Sequence, residues 1–215
     1  MMRLSRMGFR LFEIDTEIQK YRSYARLIES FLQTKKSELI QVAEQLPEGE
    51  RSEFLDHYYD EHFELAVDFP TVLRYSVFTQ AYSFLEHTLL NYCNISKEEF
   101  ALTISQKDLA GNGIEKFQTY LKKVANIQFP DDTEAWKTIK GYNVIRNCIA
   151  HTLGDVTDMN NATKLRSVIS EMENIEINDS KISLGEKFCF KALNNIQDFL
   201  HDLEESYMKR KSLQS

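Results

Sequence analysis

Glycine and proline are scarce in this chain, with seven and three in 215 residues. So few backbone breakers exclude a loop-rich or low-complexity protein, and the Leu, Ile, Glu, Lys, Gln and Tyr that fill the rest favour helix. The three cysteines, Cys93, Cys148 and Cys189, are odd in number and far apart with no CxxC pair, which excludes a disulfide framework and a cysteine zinc site. A reducing cytoplasm is the expected compartment. No window approaches the roughly 20 apolar residues that span a bilayer, so no membrane contact is expected. The basic start, Met1 to Met7, is followed by Arg10 and Glu13 before any signal-length apolar run develops, so an unexported protein is expected. The sequons at Asn94, Asn161 and Asn178 then have no consequence. Lys and Arg number 26 against 33 Asp and Glu, a formal charge of −7. That balance excludes a surface that wraps nucleic acid, because neutralising many phosphates needs a broad cationic face. Any contact with RNA or DNA must be local.

The fold class expected is all-α: a helical bundle with a long N-terminal helix and a small β-hairpin before the last helix. Residues from about 14 to 46 beat at helical period through Ile14, Ile18, Tyr21, Ile28, Phe31, Leu32, Leu39 and Val42, up to Pro47-Glu48-Gly49. A second helix is predicted from Ser52 to Val67, broken at Phe69-Pro70. The next takes Pro70 into its first turn and buries Val77, Ala81, Phe84, Leu85, Leu89 and Tyr92. Ser96-Lys97-Glu98-Glu99 reads as a capping box, and Ala110-Gly111-Asn112-Gly113 as a loop before a helix over 114–125. A helix from Asp132 or Thr133 to Gly154 follows, then a short one over 162–173. Residues 175–184 alternate apolar and polar around Asn178-Asp179-Ser180, a hairpin signature. The last helix buries Phe188, Ala192, Ile196, Phe199, Leu200 and Leu203 and ends in a basic tail, expected to fray. The whole chain is expected to form one domain, with 1–64 a helical extension on a core of 65–205 and 206–215 the tail.

From Lys137 through Gly154 there is no Asp or Glu. This island holds Arg146-Asn147-Cys148-Ile149-Ala150-His151, whose guanidinium, amide and imidazole are groups that phosphoryl chemistry uses as clamp, positioner and proton carrier. On a helix, Ile139, Tyr142, Ile145, Ile149 and Leu153 form the core stripe, while Lys140, Asn143, Asn147 and His151 share another side. Asn147 and His151 are i and i+4, so the amide is expected to reach the imidazole. Arg146 lies about 140° around the helix from His151, so the two meet through the long Arg stem, a distorted helix end or a second copy of the helix. The last option suggests a dimer. Arg51 and His57 match the same loose spacing, but they sit among carboxylates that would repel a phosphate.

Arg146-Asn147-Cys148-Ile149-Ala150-His151, placed on the penultimate long helix and followed by Gly154, resembles the Arg-Asn-x-x-x-His motif of the HEPN superfamily. Tyr82-Ser83-Phe84-Leu85-Glu86-His87 resembles the aromatic-rich "LE" helix of such proteins, and Trp136 precedes the motif at a familiar distance. The resemblance spans about residues 65 to 205. It implies a helical-bundle, metal-independent endoribonuclease that needs no cofactor and acts in a toxin-antitoxin or antiviral defence role. It further implies His151 as general acid/base at the ribose 2′-hydroxyl, Arg146 as stabiliser of the phosphorane-like transition state, and Asn147 as the residue that orients them. Two copies would share one cleft, RNA would be the substrate, and an antitoxin or defence protein a possible partner. Products would carry 2′,3′-cyclic phosphate and 5′-hydroxyl ends. One departure is Leu153, where the nucleotidyltransferase-paired toxins usually carry Tyr two residues after the His.

Other readings stand beside this one. Arg146 and His151 also suit a structural role as cations near a helix C-terminus. A silent HEPN module that dimerises or binds a nucleotide or partner is the main alternative, and a scaffold whose helix over 14–46 carries a partner is another. Cys148 reads as a small core or interface residue, not a nucleophile. His57, Asp60, Glu61 and His62 lack His-Glu-x-x-His spacing and read as a solvated face. Glu86 reads as one half of a buried or interfacial ion pair, with a buttress of the site as the alternative, and the Tyr-rich third helix as packing more than as a base-stacking platform.

Overall fold

The computed structural model describes residues 6–157 and 162–213, with side chains from Arg10 onward; the sequon at Asn161 lies outside them. Helix α1 runs over Arg6–Gln45, α2 over Glu48–His57 and α3 over Tyr59–Phe63. A π-helical turn, Glu64–Asp68, leads without a loop into α4, Phe69–Glu99. Then come α5, Gly113–Lys123; α6, Glu134–Thr152; α7, Ala162–Ser170; β1, Ile175–Asn178; β2, Lys181–Leu184; and α8, Glu186–Ser212. This is the expected all-α class, with the long first helix and with the hairpin in place before the last helix.

Helices α4, α6 and α8 bury most of the stripes their periodicity predicts; Phe84, placed in the α4 stripe, is only partly buried, meeting Tyr21 of α1 edge-on. Val77, Ala81, Leu85, Leu89 and Tyr92 of α4 face Ile139, Tyr142 and Ile145 of α6 and Phe188, Ile196, Phe199 and Leu203 of α8 in one continuous core. Its densest part is aromatic. Trp136 stacks on Phe199 at 5.0 Å between ring centroids and meets Phe129 edge-on at 4.8 Å. Helix α1 joins this core through Ile14, Ile18 and Ala25. Arg74 of α4 also ties it down, donating from Nε and Nη2 to Glu29 at 2.7 and 3.0 Å and from Nη1 to the Leu184 carbonyl at 3.0 Å.

Several local expectations are corrected. Phe31 and Val42, part of the helical beat of α1, are 55% and 49% exposed, because only the inner edge of the long apolar face packs on the bundle. The second helix starts at Glu48, with Pro47 as its N-cap, and breaks at Tyr58. Phe69-Pro70 does not end the next stretch. Proline has no N–H to donate and crowds the preceding turn, and the wider π turn just ahead of Pro70 lets the helix continue. Ser96 caps nothing, since α4 continues past it to Glu99 and buries it. The capping box lies instead at Ser105 and Asp108, where the Ser105 Oγ accepts from the Lys107 N–H and the Asp108 carboxylate from the Ser105 N–H. The basic tail is held: Arg210 Nε donates to the Ala125 carbonyl at 3.2 Å, with its guanidinium over the Phe100 ring, and Lys211 pairs with Glu99 at 2.7 Å.

Among the described residues one carboxylate is fully buried. Glu204 accepts from Tyr92 at 2.6 Å and from Arg10 at 3.3 Å, but its Oε1 has no partner. Burial raises its pKa, outweighing the Tyr92 hydrogen bond and the Arg10 charge that lower it. With a folded pKa above the unfolded one, the native state holds an extra proton in the window above pH ~4.5, so this group favours folding increasingly as pH falls from neutrality. In urea titrations, wild type should therefore gain stability relative to Glu204→Gln between pH 7 and pH 5. A constant difference would show that Glu204 is ionised throughout.

Candidate functional site

Thr133 caps α6, its Oγ1 accepting from the Trp136 N–H at 3.2 Å. The helix then carries the Arg-Asn-x-x-x-His stretch to its C-terminal end. Leu153 closes it in the left-handed region at φ 53°, and Gly154 follows at φ 85°. Leu153 is 78% exposed and not in the core stripe, because the 3.6-residue period stops applying where the helix stops.

This end is braced from three sides. Thr152 Oγ1 donates to carbonyl oxygens, with Cys148 at 2.8 Å and Asp155 at 2.7 Å. Residues 154–156 run beside β2, with the Ile182 N–H donating to the Gly154 carbonyl at 3.0 Å and the Val156 N–H to the Ser180 carbonyl at 2.9 Å. Tyr75 of α4 completes the brace by donating to the Ile182 carbonyl at 2.5 Å. A Cβ on Gly154 would overlap the Tyr75 hydroxyl. With that overlap and a positive φ combined, Gly154→Ala should cost about 2–3 kcal/mol, measured as a lowered urea midpoint. A loss below the error of the titration would mean that this junction is soft.

Asn147 and His151 lie on the outward side of α6 with Lys140 and Asn143, as the spacing predicts; His151 is exposed and Asn147 half-buried. The Asn147 amide does not hydrogen-bond the imidazole. It donates to Asn143 Oδ1 at 3.4 Å, a long contact. Arg146 points to the other edge of the helix, onto α4. Its Nη2 donates to Glu86 at 2.5 Å, its guanidinium lies 4.9 Å from the centroid of the Tyr82 ring, and its Nε is buried without an acceptor. Within one chain, therefore, the Arg146 guanidinium and the His151 imidazole lie at different edges of α6.

The acid-free island of the sequence is not a basic patch in space. Glu86 meets Arg146, and Glu134 pairs with Lys137 at 2.5 Å. Beside Asn143, a groove of about 580 Å³ between α6 and α7 carries Lys137, Lys140 and Lys164 together with Glu115, Glu134 and Glu171. Gly141 forms part of its wall, where a Cβ would press on Met172 and Val168. The Glu86 partnership matches the ion-pair expectation, but its other half, 60 residues away, carries no local signal. The brace through Tyr75 and Ile182 has none either.

Cys148 is buried, and burial raises its pKa. Burial also pushes the Cys93 and Cys189 thiols up to about 12, so all three are poor nucleophiles. Tyr82 and Tyr92 are buried packing residues and offer no base-stacking surface. His57 is exposed, and no His, Cys, Asp and Glu cluster suited to a metal occurs among the described residues. No helix is long and apolar enough to cross a membrane among those residues. No known protein family matches the chain, nor does any characterised protein or solved structure.

Proposed function

We propose that Arg146, Asn147 and His151 form half of a metal-independent ribonuclease site of the HEPN type, completed by a second copy of the chain. The observation that carries this reading is the division of the motif over two edges of α6. The imidazole is exposed at a braced helix end, while the guanidinium is held against Glu86 and Tyr82. Facing a second α6 across a two-fold axis would set the His151 of each copy against the Arg146 of the other.

In such a cleft His151 takes the proton from a ribose 2′-hydroxyl, and the 2′-oxygen attacks the adjacent phosphorus. Arg146 holds the non-bridging oxygens as charge builds there. The P–O5′ bond breaks, the departing 5′-oxygen gains a proton, and 2′,3′-cyclic phosphate and 5′-hydroxyl ends result. Asn147 contributes to the shared face beside Asn143. A toxin or antiviral role belongs to the same proposal, in the cytoplasm and with an antitoxin or defence protein as partner.

A second reading is favoured by two observations: Glu86 pairs with Arg146, and the nearby groove carries as many carboxylates as ammoniums. A silent module would use the same face for dimerisation or for a partner. Incubating a fluorescent structured RNA with purified dimer in EDTA separates the two. The enzyme yields fragments with cyclic-phosphate ends; a folded dimer that leaves every RNA intact supports the silent module.

A further inference from the structure

Helices α2 and α3 bury no side chain fully; only Phe54 and His62 are partly covered. Helices of ten and five residues are far below the length that is stable alone in water, so their apolar side chains have an unused stabilising role. Four of the exposed apolar side chains here are spaced four apart in sequence. Leu55, Tyr59, Phe63 and Val67 are 40%, 61%, 41% and 42% exposed, with the Tyr59 and Phe63 rings stacked at 6.2 Å. At the α1 end of the arm, an open notch of about 470 Å³ is lined by Leu46, Glu50, Glu53, Phe54 and His57.

Charge decides what fits this face. Between Glu48 and Asp68 there are eight acidic residues and one Arg, a formal −7 that equals the charge of the whole chain. All eight carboxylates are exposed, and none forms an ion pair among the described residues. The single Arg51 turns back to α1, donating to the Ala43 and Glu44 carbonyls. No Lys or Arg is left on the outward side. Such a surface repels RNA, and it also repels a second copy of itself across a two-fold axis.

We infer that the α2–α3 arm is a docking surface for a partner protein that presents a cationic amphipathic helix. Its apolar side would cover the exposed side chains from Leu55 to Val67, and its Lys and Arg rim would meet the carboxylates. The inference is independent of the ribonuclease reading.

A labelled lysine–leucine amphipathic peptide of about 18 residues tests it against a scrambled peptide of equal composition, on the full chain, by fluorescence anisotropy. The amphipathic peptide should bind at least about tenfold more tightly than the scrambled one, with hydrogen-exchange protection confined to 48–68. Both Tyr59→Ser/Phe63→Ser and Asp60→Asn/Glu61→Gln/Glu64→Gln should lose about tenfold in affinity. Circular dichroism should stay unchanged, because the five side chains replaced are exposed or nearly so. Equal binding of the two peptides, or protection elsewhere, overturns the inference. So does a wild-type dimer in sedimentation that Phe63→Ser dissociates, since the occupant is then a second copy.

Discussion

Replacing Trp136 with Ala is expected to cost about 3–5 kcal/mol, a large share of the stability of an ordinary domain. The indole is fully buried between Phe199 and Phe129. Helices α6 and α8 share this contact, so the void cannot close without separating them. Trp136→Phe should cost about 1 kcal/mol or less, because the ring stack survives and the lost indole N–H has no acceptor. Urea titrations followed by circular dichroism measure both, as this is the only tryptophan. Equal losses in the two variants would mean that indole-specific contacts matter more than ring packing.

On the ribonuclease reading, His151→Ala should lower cleavage by about 10²–10⁴-fold with little change in stability, because the imidazole is exposed and makes no hydrogen bond in the described chain. Arg146→Ala should lower cleavage by about 10²–10³-fold and also destabilise the fold, since Glu86 loses its partner. Arg146→Lys should not restore activity, because a lysine cannot reach Glu86 and a phosphate with separate nitrogens of one planar fork. Single-turnover cleavage and urea titration of the same preparations read the two effects separately. If both variants keep wild-type rates, the motif does no chemistry.

The fold was legible where one period governed one element. The stripe of α8, the helix carrying the motif and the alternation of the hairpin are local patterns, and their strength lies in the side chains themselves. The legible part ended at junctions and long-range pairs. Leu153 keeps the apolar spacing of α6 but falls just beyond its last turn. Phe69-Pro70 looks like a break until the π turn before it is seen. Ser96 has the right neighbours for a cap, yet burial against the core carries the helix past it. At the site, the outward grouping of Lys140, Asn143, Asn147 and His151 followed from spacing. The capture of Arg146 by Glu86 did not, and it reverses the charge reading of the island, because a segment free of acid in sequence meets acids from other helices in space.

A mixture of Arg146→Ala and His151→Ala proteins, allowed to exchange subunits, tests the shared cleft most directly. If Arg146 of one copy works with His151 of the other, each mixed dimer keeps one intact pair, and metal-free RNA cleavage returns although neither variant cuts alone. If mixed dimers form and stay as inactive as their parents while the wild type cuts, the site is built within one chain. A wild-type dimer that cuts no RNA contradicts the ribonuclease itself.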